Sequence, residues 1–147
     1  MSSAELWTGL GLLMAAVLAG GLLGYFFAYN PMMLGQPGEV WLPVHRALQR
    51  ISRRSFPVLM VLTALALTPW ALTVDDGRAG AAVGIAGALV ALAVTLAVDL
   101  PVARRLEAAG DVVPGDWAAL RLRWTVGHAL RTLAAFVGLV AVVAAVV

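Results

Sequence analysis

The chain has 147 residues, 62% of them hydrophobic and 12% charged, and it contains no cysteine. Disulfides, iron–sulfur clusters and thiolate metal sites are therefore excluded. The net charge of +2 says little, but all ten cations are arginine and nine of them, from Arg46 to Arg54 and from Arg104 to Arg131, flank the same ends of the apolar runs.

A membrane-spanning helix needs about 20 mostly apolar residues to cross a hydrocarbon core of roughly 30 Å. Four runs qualify, at about 7–29, 56–74, 79–103 and 128–147. None alternates as barrel strands do, so the fold expected is all-α, an integral membrane four-helix bundle. The length leaves no room for a second domain, and 1–147 reads as one.

The first run has no Arg or Lys before it and is too long for the apolar core of a signal peptide, so it reads as a retained helix. At its end Tyr25, Tyr29 and Asn30 are candidates to line a site, whereas Met32 and Met33 read as loop packing. From Gly38 a helical pattern continues through Arg54 into the second run, about 37 residues or roughly 55 Å. Pro43 is tolerable in its first turns, and Pro57 is expected to kink it. The extension, 38–55, has an apolar face (Trp41, Val44, Leu48, Ile51), a basic face (Arg46, Arg50, Arg53) and a polar edge (His45, Gln49, Ser52). That edge either meets helix four or lies against anionic headgroups.

Asp99 is the one carboxylate deep in an apolar run, an expensive position that calls for Arg131 or Arg121 as partner. Gly20 with Gly24, and Gly80 with Gly84, form GxxxG pairs. They mark either a homo-oligomer face or close helix approach within one chain, and the latter is favoured in a sequence so rich in Ala and Gly. Helix four is expected to start at Pro114-Gly115-Asp116, with an extension over 114–127. Helices two and four are thus both extended on the cytoplasmic side.

Helix four carries the sharpest signal. Trp117, Arg121, Trp124, His128 and Arg131 follow one another at four, three, four and three residues, within about 80° of one helix face. Such a stripe points into the bundle or a wet cavity, or else forms an interfacial belt. Of the two histidines, His128 is expected to matter more, because it sits at the membrane boundary one turn from both Trp124 and Arg131. Two histidines make a poor metal site, since a catalytic metal usually takes three protein ligands, but His45 and His128 would suffice as haem axial ligands with arginines on the propionates. The cofactor thus stays open between none and haem.

The four runs, the exit Asp99-Leu100-Pro101 followed by Arg104-Arg105-Leu106, and Trp124 with His128-Ala129-Leu130-Arg131-Thr132 resemble the anthrone oxygenase-like family over roughly residues 8–140. Family members often have Asn where this chain has His128. The resemblance implies oxidation of a reduced polycyclic aromatic by O2, a methylene becoming a quinone carbonyl. On that reading His128 takes the proton, Arg131 or Arg121 stabilises the enolate beside Asp99, and Trp117 and Trp124 stack on the rings. Two other readings stand beside it: a haem- or metal-binding membrane redox protein, and a non-catalytic assembly or transport component. The partners expected are the lipid bilayer and an apolar small molecule, with no nucleic acid.

The arginine asymmetry places the Arg-rich ends in the cytoplasm and both termini outside the plasma membrane. With Ser2→Cys and Gly110→Cys, an impermeant thiol reagent added to intact cells should label position 2 alone. Labelling of position 110 with position 2 protected would invert the topology.

Overall fold

The computed structural model describes residues 2–147. Its helices run over Ser3–Met33 (α1), Gly38–Thr73 (α2), Arg78–Ala108 (α3) and Trp117–Ala144 (α4), all four long and apolar enough to cross a membrane. No strand occurs among the described residues. The helices pack in a ring, each against its neighbours in sequence, with α4 closing onto α1. This is the up-and-down four-helix arrangement expected. Large apolar side chains such as Leu13, Leu65, Leu89 and Leu133 are exposed on its outside, where lipid would cover them.

Local chemistry sets the helix ends. The Ser2 hydroxyl accepts from the Glu5 amide at 3.2 Å and the Glu5 carboxylate accepts from the Ser2 amide at 2.7 Å, a capping box. At the turn before α3, Gly77 has φ 78°, a left-handed conformation open to glycine, and the Trp70 indole seals that turn by donating to the Asp76 carbonyl at 3.1 Å. α2 is continuous for 36 residues through Pro43, Pro57 and Pro69. At the Arg-rich end, besides the extended α2 and α4, α1 runs on to Met33 and α3 to Ala108.

Both α1 and α3 contain one π-helical turn, at Tyr25–Tyr29 and Thr95–Asp99. Each is followed two residues later by proline, Pro31 and Pro101. A proline ring clashes with the carbonyl four residues earlier in a regular α-helix; widening the preceding turn relieves that clash and moves the hydrogen bond one residue on, as where the Leu100 amide donates to the Thr95 carbonyl. The two widened turns flank α4 at the same level.

Away from the Arg-rich end the contact is close. A Cβ on Gly80 would stand 2.5 Å from the Ala141 carbonyl oxygen, and one on Gly87 equally close to that of Ala134. The second GxxxG pair therefore serves α3–α4 packing, with a Cβ on Gly84 meeting Val142 and Leu67, whereas Gly20 and Gly24 face open space. Overpacking costs about 1–3 kcal/mol. Gly87→Leu should accordingly lower the apparent Tm in detergent by several degrees, while Gly20→Leu leaves it unchanged. Equal effects of the two would contradict this packing.

Candidate functional site

The stripe on α4 and the polar edge of α2 meet at the Arg-rich end. His45, Trp124, His128, Asp99 and Arg131 are all buried there. Four rings stack in a column: Trp41 lies flat on His45 (centroids 4.5 Å, 20°), His45 stands edge-on to Trp124 (4.7 Å, 83°), and Trp124 is parallel to His128 (5.2 Å, 6°). Tyr25 closes the column against His128 at 5.8 Å, and Tyr29 packs edge-on to Trp124 at 5.5 Å.

Polar contacts fix these rings. The Tyr29 hydroxyl lies 3.1 Å from His45 Nδ1, and Gln49 Nε2 is 3.4 Å from His45 Nε2. Arg131 Nε donates to His128 Nδ1 at 3.0 Å. An N–H donor at Nδ1 leaves the imidazole proton on Nε2, and His128 Nε2 is buried without a partner. His128 thus accepts at Nδ1, and its Nε2–H is a hydrogen-bond donor without a partner.

Arg131 also forms a buried ion pair with Asp99 and donates to Thr95 Oγ1 at 3.4 Å. Thr95 and Asp99 are the first and last residues of the π-turn in α3. Gly127 lets α4 come close: a Cβ there would stand 2.8 Å from Val98 and 3.2 Å from Asp99 Oδ1. Of the two expected partners for Asp99, Arg131 makes the pair.

Arg121 has a different task. Its guanidinium donates to the carbonyls of Met33 (3.2 Å) and Gln36 (2.7 Å) and lies 4.6 Å over the Trp117 ring. It caps the end of α1, where orphan carbonyls need donors. Trp117 packs against Gly38, at the start of α2, with its ring 6.4 Å from that of Trp41 at the end of the column. Asn30 is buried with its Nδ2 unpaired, beside Tyr29, Trp124 and Arg121.

Two clefts open between α2 and α3. The larger, about 330 Å³, reaches His45 and is walled by Gln49, Ala103 and Leu106. The smaller, about 40 Å³, reaches Asp99 and Arg131 and shares Gln49 and Ala103 with the first. His128 lines neither of them. The site therefore comprises two adjoining clefts with a packed aromatic wall behind them.

This packing bears on cofactors. Two axial histidines must face one metal from opposite sides, but between His45 and His128 lies the Trp124 ring, so the pair does not fit a bis-histidine haem. No group of three or more His, Cys, Asp or Glu converges among the described residues. Sequence reasoning missed Trp41 and Thr95. Trp41 sits four residues before His45, and Thr95 four before Asp99, so helical spacing was the available signal.

Removing one partner of a buried ion pair costs about 3–5 kcal/mol, because the other charge is left uncompensated. Arg131→Gln and Asp99→Asn should each lower stability in detergent by that order, and the double variant should be more stable than either single one. Additive losses would mean that the two side chains do not act as a pair.

The family model described as anthrone oxygenase matches residues 44–141. The matched segment includes His45, Asp99, Trp124, His128 and Arg131 and leaves α1 outside. Neither a curated protein nor a solved structure matches the chain. With two thirds of its length matched by that model, the chain belongs to the anthrone oxygenase family.

Proposed function

We propose that the protein is a membrane-embedded oxygenase that converts the methylene of a reduced polycyclic aromatic into a carbonyl with O2. The observation that carries the reading is His45 at the floor of the 330 Å³ cleft in a member of this family. That volume lies at the lower end of small-molecule sites, about 300–1,000 Å³. The ring substrate lies along the wall of Gln49 and Ala103, with its methylene at His45 and its oxygen edge toward Arg131 in the smaller cleft.

The base in this reading is His45, because the cleft reaches it, whereas His128 has Nδ1 engaged by Arg131 and lies behind Trp124. His45 removes one methylene proton, with the Tyr29 hydroxyl and the stacked Trp41 orienting its ring. Arg131 stabilises the charge that moves onto the substrate oxygen. The anion's carbon then bonds O2, the peroxide takes a proton, and loss of water with the second methylene hydrogen leaves the carbonyl. One oxygen atom stays in the product and the other departs in water, so O2 is the sole oxidant and no cofactor is required. The chain is read as one domain in the plasma membrane, with the Arg-rich end cytoplasmic on the nine-to-one arginine asymmetry.

Loss of a general base typically costs about 10²–10⁴-fold. With a hydroxylated anthrone as substrate, His45→Ala should reduce both O2 uptake and quinone formation by that order. His128→Ala should retain measurable turnover if it folds. Full activity in His45→Ala, with loss confined to His128→Ala, would return the base role to His128.

A further inference from the structure

The larger cleft has more charge on its walls than an apolar ring needs. Two of its side chains are carboxylates, Glu107 and Asp111, and two are guanidinium groups, Arg46 and Arg50. Each carboxylate already has an arginine partner. Arg53, from outside the cleft, forms an ion pair with Glu107, and Arg46 lies 3.6 Å from Asp111 while also donating to the carbonyls of Leu106 and Gly110. Arg50 has no ion pair or hydrogen bond among the described residues. It is exposed, on the same wall as Gln49 and one turn from Arg46. The cleft therefore has an apolar side of Ala103 and Leu106, a histidine at its floor, and one uncompensated guanidinium at its edge.

We propose that the ligand of this cleft is an aromatic acid, and that Arg50 selects it by pairing with a carboxylate at the ring edge. The proposal rests on the substrate class read above but does not need the oxidation step. A planar guanidinium matches a carboxylate with two parallel N–H···O bonds, and charge-assisted bonds of this kind are the strong ones. Burying the ring against Ala103 and Leu106 anchors the body, and the pair at Arg50 sets which end faces out. A neutral ring would gain the first contribution and lose the second. Preference for an anion is thus a property of binding, readable apart from turnover.

The test uses the full-length protein in an uncharged detergent, with anthraquinone-2-carboxylate and neutral anthraquinone as product-like probes and tryptophan quenching as readout. The wild type should bind the carboxylate about two- to fivefold more tightly than the neutral ring, the range for an exposed pair. Arg50→Gln should remove that difference and leave the neutral ring's Kd unchanged, and Arg50→Lys should restore part of it. Arg54→Gln, an exposed arginine outside the cleft, should leave both Kd values unchanged. Equal binding of the two probes by the wild type, or an equal effect of Arg50→Gln and Arg54→Gln, overturns the proposal. Absence of turnover with retained carboxylate selectivity would sink the oxygenase reading alone; turnover without selectivity would sink this inference alone.

Discussion

The ion pair between Arg131 and Asp99 is the constraint around which the Arg-rich end is arranged. A charged group in an apolar bundle is costly, and a buried pair recovers that cost only with good geometry and further hydrogen bonds. Each device nearby serves that end. Gly127 allows α4 to approach α3 at Asp99, Thr95 accepts a second guanidinium N–H, and the widened turn at Thr95–Asp99 puts both acceptors on the face that meets α4. A further donor of the guanidinium, Nε, goes to His128. One arginine therefore sets the register of two helices and the tautomer of a histidine together.

The consequence reaches across the ring column. With His128 held by Arg131, Trp124 lies parallel to it, and His45 is wedged between Trp124 and Trp41. Aromatic rings packed this way lose little side-chain entropy on folding and give a rigid wall. That wall holds His45 in one orientation, with its Nδ1 at the Tyr29 hydroxyl. It also places the two buried histidines on either side of Trp124, where they cannot share one metal between them.

Much of this was legible in the sequence, and the reasons differ by feature. Four apolar runs define four helices because backbone groups in lipid must satisfy one another. The stripe from Trp117 to Arg131 was legible as one face because its spacing follows the helical period. Asp99 stood out because an isolated carboxylate in such a run needs a partner. What the spacing could not supply was depth. Trp117 and Arg121 share the face of Trp124 and His128, yet Arg121 closes the end of α1 and Trp117 packs at the start of α2. Of the two histidines only His45 lines one of the clefts, since the Trp124 ring lies between them. That depends on the pairing of α2 with α4 across the bundle, which is long-range information and leaves no mark in local periodicity. The π-turns were visible only indirectly, as the prolines that follow them.

The two halves of the bundle make opposite use of side-chain size. Toward the chain termini, glycine and alanine let α3 and α4 approach until backbone meets backbone at Gly80, Gly84 and Gly87. Toward the Arg-rich end, aromatic rings and prolines hold helices apart or widen them, and the clefts open between α2 and α3. In lipid no hydrophobic force draws helices together, so close packing at one end must supply the association that leaves the other end open. Polar groups then collect at the open end because only there can water, arginine and a ligand reach them. The clefts follow from that division of labour: Pro57 and Leu96 line the smaller one, while the exposed Arg50 of α2 stands at the larger.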